Sequence, residues 1–207
     1  MAAMPRPRFL FAHGAGAPST SPWMRRWRER LAVLGDVTTF DYPYMQARRK
    51  MPDRMPALVE AHRAVLADVR ANARGAPIIL IGKSMGSRVG CHVSLEEPVD
   101  ALVCIGYPLV SGTSGKLRDE VLVALRTPIL FVQGTHDSLC PLPKLADVRE
   151  RMTAVNELHA VQDANHSIEL PSIKHTAALQ EDLELTVVAA IRRFVDDLQK
   201  KITPEGV

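Results

Sequence analysis

The sequence predicts an α/β fold built on one doubly wound sheet of six parallel strands. Short apolar runs alternate with segments of helical spacing along the 207 residues, which is typical of strands joined by helical crossovers. The run 78–81 consists of four successive apolar residues, as expected for a strand buried on both faces of a parallel sheet. Strands that follow one another through helices pair in parallel, because such neighbours need crossover connections. Since 46% of the residues are hydrophobic, one large core can form, and we predict a single domain over residues 1–207.

The first elements are defined by local signals. The first predicted strand, 8–12, is a short apolar run that ends at a loop of small residues. Ser21-Pro22 is suited to the N-cap and first position of a helix, which helical spacing extends over 23–34. A second strand, 37–40, leads into a basic loop, and the spacing of apolar residues predicts a helix over 57–72.

The same alternation continues to the C-terminus. Apolar runs predict the later strands, and amphipathic spacing predicts the helices between them. These later strands are 101–106, 129–132 and 157–161, and the later helices are 87–95, 117–125, 142–152 and 176–201.

A glycine-flanked serine follows the strand 78–81. The segment Gly82-Lys83-Ser84-Met85-Gly86 is G-x-S-x-G, and the residues after it can continue as a helix. A strand, a strained turn and a helix are the context in which this motif forms a nucleophile elbow. The two glycines are required because a side chain at either position would collide with the neighbouring strand or helix. The sequence therefore predicts Ser84 as a nucleophile.

Polar residues follow two later strands at the same predicted edge of the sheet. Asp137 lies after the fifth strand and His166 after the sixth, so Ser84, Asp137 and His166 occur in the chain order of the α/β-hydrolase triad. We expect His166 to take the serine proton and return it to the leaving group. Asp137 would accept the other imidazole N–H and set the tautomer of the ring.

Other side chains compete for these roles. Asp163 is close to His166 in sequence and is the alternative carboxylate. His136 and His13 are alternative bases, although His136 precedes Asp137 in the same loop and His13 is suited to bracing the loop after the first strand. Cys140 is either a reactive thiol or a packing residue.

The loop after the first strand is rich in small residues. His13-Gly14-Ala15-Gly16 leaves backbone N–H groups uncovered at the edge of the sheet, as the binding of an oxyanion requires. We predict that the N–H groups of Met85 and Ala15 form the oxyanion hole.

Composition excludes several classes of protein. Twenty-six basic and 23 acidic residues leave a net charge of +3, which is too small to indicate a nucleic-acid partner. The basic excess is concentrated in residues 1–54, as either a solvated face or a patch for an anionic substrate or partner. Three cysteines without metal spacing, no signal peptide and no membrane span predict a cytoplasmic protein, with the nucleus as an alternative. No metal or cofactor motif is present, so neither is expected.

Several segments together resemble a known family. They are 9–16, 82–88, Gly106-Tyr107-Pro108-Leu109, 131–137 and Asn165-His166-Ser167. The set resembles the small α/β-hydrolases related to dienelactone hydrolases, and more closely the testis-expressed hydrolase-like proteins and the hydrolase-like domain of a nonspecific-lethal chromatin complex subunit. This resemblance implies Ser84, Asp137 and His166 as the triad. Dienelactone hydrolases proper use a cysteine nucleophile, so their lactone specificity is not carried over.

The predicted pocket is open. Only a short loop separates Leu109 from Leu117, where larger hydrolases insert a lid, so we expect no lid domain. An open site suits a short acyl ester, a thioester or an acylated protein. By position, the expected wall residues are Trp23, Tyr42, Tyr44, Met85 and Leu139, while Lys83 and Arg88 would either favour an acidic substrate or be solvated.

Two hypotheses about function follow. The first is a serine hydrolase that cleaves small ester or thioester bonds through an acyl-enzyme. The second is a non-catalytic protein-interaction module that retains the fold, for which the three triad side chains would not meet or the pocket would be blocked.

Overall fold

The computed structural model describes residues 5–172 and 176–202. Its strands are β1 (Arg8–Ala12), β2 (Asp36–Phe40), β3 (Ile78–Lys83), β4 (Ala101–Ile105), β5 (Ile129–Gly134) and β6 (Asn156–Val161). Its helices are α1 (Pro22–Ala32), α2 (Pro43–Gln46), α3 (Met55–Ala71), α4 (Met85–Val93), α5 (Glu120–Ala124), α6 (Leu142–Arg151) and α7 (Ala177–Ile202). The strands form one parallel sheet in the order β2-β1-β3-β4-β5-β6, which confirms the predicted fold class.

Both faces of the sheet are covered by helices. In β1, Phe9 and Phe11 point into the core layer formed with α1 and α7, whereas Leu10 and Ala12 point into the layer formed with α3 to α6. The same alternation runs through β3, β4 and β5, because successive side chains of a strand point to opposite faces. Since no face is left to solvent, these strands are apolar throughout rather than alternating.

A buried carboxylate joins the two helices on one face. Glu184 of α7 is 1% exposed and accepts hydrogen bonds from Arg26 Nε at 2.8 Å and from Arg30 Nε at 3.1 Å, both in α1. Helix α1 begins as predicted, with Pro22 first and the Ser21 hydroxyl accepting from the N–H of Met24. The layer of α1 and α7 is therefore held by charge as well as by packing.

Some boundaries differ from the predictions. Strands β3 and β5 each extend two residues further than expected, and α4 begins at Met85 directly after the serine. Helix α5 begins three residues later than predicted, because Leu117 pairs with Val110 in an antiparallel bridge. Helix α2 was missed, since four residues are too few to show helical spacing.

The described residues include no large insertion at the carboxyl edge of the sheet. Residues 106–119 connect β4 to α5, and no inserted lid domain occurs in the described ranges. None of the helices in residues 5–172 and 176–202 combines the length and apolar character needed to cross a membrane.

Candidate active site

Ser84 lies on a sharp turn between β3 and α4. Its backbone has φ 51° and ψ −112°, a conformation that non-glycine residues rarely adopt. A Cβ at Gly82 would lie 2.1 Å from Ser87 N, and one at Gly86 would lie 2.5 Å from the carbonyl oxygen of Ala12. Glycine at both positions therefore lets the helix start directly against the sheet, and packing holds the serine in its strained conformation.

The Asp137 carboxylate lies after β5 and is buried, with 3% of its surface exposed. Its Oδ1 accepts the N–H of Leu139 at 2.8 Å, and its Oδ2 accepts from His166 Nδ1 at 2.7 Å. Oδ2 also accepts a hydrogen bond from Gln133 Nε2. Each oxygen therefore has a fixed donor, and the carboxylate has one orientation.

His166 joins this carboxylate to the serine. Its Nδ1 faces Asp137, and its Nε2 lies 2.8 Å from the Ser84 hydroxyl oxygen. A carboxylate can only accept, so the ring carries its proton on Nδ1 and leaves Nε2 free to accept the serine hydroxyl proton. The structure thus brings together the three side chains that the sequence singled out, in a continuous hydrogen-bonded chain.

The competing side chains point elsewhere. His136 is exposed and its Nδ1 lies 3.3 Å from the backbone oxygen of Asp163, so these two residues face each other rather than His166. His13 is fully buried; its Nδ1 donates to the Gly14 carbonyl at 2.6 Å, and its Nε2 accepts the N–H of Tyr42 at 3.2 Å. Burial lowers the pKa of His13, which therefore serves as a neutral brace of the loop.

The loop that His13 braces lies against the nucleophile. A Cβ added at Gly14 would be 3.5 Å from Ser84 Cβ. The carbonyl of Ala15 accepts from the Tyr44 hydroxyl at 3.0 Å, while no acceptor for the Ala15 N–H lies among the described residues. Met85 is the first residue of α4, where N–H groups have no partner within the helix. The segments on either side of Ser84 thus each contain a backbone N–H with no partner among the described residues.

An open cleft of about 450 Å³ surrounds Ser84 and His166. Two of the expected wall residues, Trp23 and Leu139, line it, whereas the Met85 side chain is buried and does not. Its lining comprises Gly14, Ala15, Gly16, Ala17, Ser21, Trp23, Met24, Lys83, Ser84, Leu139, His166, Ser167 and Glu169.

The expectation that Tyr42 and Tyr44 form walls of the cleft was wrong. Both are fully buried, and helix α2 turns their rings toward the core. The Tyr42 hydroxyl and His62 Nδ1 share a hydrogen bond of 3.1 Å, and the Tyr44 hydroxyl donates to the carbonyl of Ala15. Burial raises the pKa of Tyr44 to about 12, so its hydroxyl remains a donor. The tyrosines support the site from beneath instead of touching a substrate.

Comparison with known proteins identifies the family. A sequence model of the alpha/beta hydrolase domain matches residues 5–196. The chain belongs to the alpha/beta hydrolase domain family. Family and fold support hydrolase activity in general.

Solved structures share the α/β-hydrolase fold at low sequence identity. An alpha-beta serine hydrolase homologue from Coxiella burnetii is 17% identical, with a TM-score of 0.71 over 93% of this chain and 86% of the other. An a/b serine hydrolase without lid from Xanthomonas campestris is 16% identical, with a TM-score of 0.69 over 99% of this chain and 86% of the other. Dienelactone hydrolase from Anabaena variabilis is 20% identical, with a TM-score of 0.64 over 90% of this chain and 84% of the other.

Two polar residues of this α/β-hydrolase site have contacts that the sequence did not predict. Gln133 is fully buried at the end of β5, where its Nε2 binds Asp137 and its Oε1 accepts the N–H of Tyr107 at 3.0 Å. Gln133 could have been recognised from the sequence as the single amide at the end of an apolar strand, because a buried amide needs hydrogen-bond partners.

Lys83, the second such residue, was expected to be solvated or to favour an acidic substrate. Instead its ammonium donates to the backbone carbonyl of His166 at 2.5 Å and lies 5.4 Å from the centre of the Trp23 ring. Burial lowers its pKa from 10.5 to about 8, and the carboxylates of Asp137 and Glu169 offset part of that effect. Lys83 therefore ties the loop of His166 to β3.

Cys140, the alternative reactive thiol, is a packing residue. Cys140 has no exposed surface, and burial raises the pKa of its thiol to about 12. A protonated, inaccessible thiol is a poor nucleophile. Within residues 5–172 and 176–202, no group of three His, Cys, Asp or Glu side chains is arranged to hold a metal ion.

Proposed function

We propose that this α/β-hydrolase cleaves small carboxylic esters or thioesters, with Ser84 as nucleophile, His166 as general base and acid, and Asp137 as the residue that orients His166. The hydrogen-bonded chain from Asp137 through His166 to Ser84, with distances of 2.7 and 2.8 Å, is the observation that carries this proposal. Both contacts have the length that proton transfer requires.

The reaction proceeds in two halves. Ser84 Oγ attacks the carbonyl carbon while His166 Nε2 takes the hydroxyl proton, and the carbonyl electrons move to the oxygen. When the tetrahedral intermediate collapses, the C–O or C–S bond breaks and the imidazolium gives its proton to the departing alcohol or thiol. A water molecule then attacks the acyl-enzyme by the same route, which releases the acid and restores Ser84.

The N–H groups of Met85 and Ala15 stabilise the oxyanion. Each such donor contributes about 3 to 4 kcal/mol to transition-state stabilisation in enzymes of this type. His13 and Tyr44 donate hydrogen bonds to the carbonyls of Gly14 and Ala15. These bonds support the role of the loop, because they keep it rigid.

The open cleft of about 450 Å³ supports a short acyl group rather than a long lipid chain. Trp23 and Leu139 provide its apolar surface. The described ranges of the chain include no lid that would extend the cleft into a deep tunnel.

The resemblance to a chromatin-complex subunit motivates the alternative of a non-catalytic interaction module. That hypothesis expects triad side chains that do not meet or a blocked pocket. The observed contacts and the open cleft favour the hydrolase.

Labelling with a fluorophosphonate probe tests the proposal. We expect the wild-type protein to be labelled rapidly, and Ser84→Ala and His166→Ala to remain unlabelled although folded. His136→Ala is the matched control, because its imidazole is exposed and faces Asp163. Failure of the folded wild-type protein to label, or labelling that persists in Ser84→Ala, would contradict the assignment.

A further inference from the structure

A second cleft adjoins the candidate active site. It has a volume of about 570 Å³ and shares Ala15 and Gly16 with the first cleft as a common wall. Three consecutive cationic side chains line its other side. Its lining comprises Ala15, Gly16, Pro18, Met45, Arg48, Arg49 and Lys50. A molecule that reaches Ser84 can therefore extend across the loop at Ala15 and Gly16 into this second, basic cleft.

Two of the three cationic side chains in this basic cleft have no hydrogen-bond or ion-pair partner among the described residues. Arg49 forms an ion pair with Asp53 at 2.7 Å. Arg48 and Lys50 are exposed, and neither has a side-chain hydrogen bond or ion pair with any described residue. Asp41, the other carboxylate nearby, accepts the N–H of Ser19 at 2.6 Å and lies on the His13 side of the loop. The basic cleft thus has unneutralised positive charge.

Arg48 occupies a backbone position that favours glycine. Helix α2 ends in a Schellman motif, in which the N–H of Arg48 binds the Met45 carbonyl at 2.9 Å and the N–H of Arg49 binds the Tyr44 carbonyl at 2.8 Å. The φ of Arg48 is 55°, which is strained for a residue with a side chain. Packing alone does not explain an arginine here, because its side chain is exposed.

We propose that the basic cleft is a substrate subsite, and that the substrates are esters or thioesters that carry a phosphate or carboxylate group remote from the scissile carbonyl. The anionic group binds Arg48 and Lys50 while the carbonyl lies at Ser84. Guanidinium and ammonium groups bind both anions through charge-assisted hydrogen bonds. This inference names the substrate class of the proposed hydrolase and rests on that proposed function.

Two matched pairs of thioesters test the subsite. S-acetyl-4′-phosphopantetheine and S-acetylpantetheine differ in one phosphate, whereas S-acetyl-N-succinylcysteamine and S-acetyl-N-propionylcysteamine differ in one carboxylate. We expect kcat/KM to be higher for the anionic member of at least one pair, and the pair that shows this preference identifies the anion. In Arg48→Gly that preference falls about fivefold, mainly through KM, and adding Lys50→Ala lowers it further.

Arg74→Gly is the matched control. Arg74 is also exposed, also has a positive φ of 49°, and lies in the turn before β3 at the opposite edge of the sheet. Both substitutions remove one charge and place glycine where glycine is favoured, so both variants should fold. Equal loss of the preference in Arg48→Gly and Arg74→Gly would overturn the subsite, because net charge alone would then explain it.

Binding to Ser84→Ala keeps this test independent of catalysis. By calorimetry, we expect this variant to bind S-acetyl-4′-phosphopantetheine or S-acetyl-N-succinylcysteamine more tightly than its neutral counterpart, and the added Arg48→Gly to remove the difference. Equal affinities within both pairs would refute the subsite while leaving the hydrolase proposal standing. Conversely, a protein that fluorophosphonate does not label but that shows the anion preference in binding would retain the subsite without the hydrolase.

Discussion

His166 is held from both its side chain and its backbone. Its imidazole binds Asp137, its carbonyl accepts from Lys83, and a Cβ at Gly106 would lie 2.3 Å from that same carbonyl oxygen. The φ of Gly106 is 63°, so this position needs glycine for its conformation as well as for space. Placement of the His166 ring thus depends on residues at the carboxyl ends of three different strands, β3, β4 and β5.

Asp137→Asn tests how the carboxylate acts. Both Asp137 oxygens already accept from fixed donors, Leu139 N–H and Gln133 Nε2, so either orientation of an asparagine amide places an NH₂ group against a donor. The imidazole would also lose the acceptor that sets its tautomer. We expect kcat for a neutral thioester to fall about 10³- to 10⁴-fold with little change in KM. Asp163→Asn is the control, and an equal loss in that variant would contradict the role of Asp137.

The partly buried ammonium of Lys83 makes stability depend on pH. Its pKa falls from 10.5 in the unfolded chain to about 8 in the folded protein, so between these values the unfolded chain binds the extra proton. The free energy of unfolding should therefore rise as pH increases from about 8 to 10.5, and this contribution should be absent in Lys83→Met. Urea denaturation of both proteins at several pH values measures the difference. Identical pH dependence in both would show that Lys83 is not desolvated.

At the scale of elements, the turn from β3 into α4 depends on contact between backbones. Gly82 faces the start of α4, and Gly86 faces the end of β1, so the helix lies directly on two strands. The strained Ser84 backbone persists because this packing leaves no room for relaxation.

Gly86→Ala should therefore destabilise the fold. Its Cβ would meet the carbonyl oxygens of Ala12 and His13 at 2.5 and 2.7 Å, which are backbone atoms that cannot rotate away. We expect the free energy of unfolding to fall by about 3 kcal/mol in urea denaturation. Gly16→Ala is the matched control, since nothing lies within 4 Å of a Cβ at that position. A comparable loss in Gly16→Ala would contradict the steric explanation.

At the scale of the whole molecule, burial is concentrated in the middle of the sheet. Strands β3, β4 and β5 are buried along almost their whole length, whereas the edge strands β2 and β6 contain mainly half-buried or exposed residues. The candidate nucleophile follows a central strand, while the candidate base follows an edge strand.

Hydrogen exchange should reflect this gradient. We expect amides of β3 and β4 to exchange only through global unfolding, and those of β2 and β6 to exchange through smaller openings. Exchange measured by mass spectrometry at increasing urea concentration distinguishes the two. Equal protection of β2 and β3 would contradict a stability gradient across the sheet.

Much of the fold could be predicted because its signals are local. Apolar runs such as 78–81 mark buried strands wherever they lie in space, and helices between them require parallel pairing. Likewise, Ser84, Asp137 and His166 could be selected as candidates, because parallel strands direct the residues that follow them to one edge. Helix α2 could not be predicted in this way, because its four residues are held by contacts with distant parts of the chain.

The sequence by itself determined the parallel α/β architecture, the position of the elbow and the small set of polar residues at one edge of the sheet. Only the tertiary structure decided that Asp137 rather than Asp163 faces His166, that Tyr42 and Tyr44 lie beneath the site, and that Lys83 binds the His166 carbonyl. The physical reason is that periodicity depends on neighbours in the chain, whereas the direction of a loop side chain depends on partners that are remote in sequence.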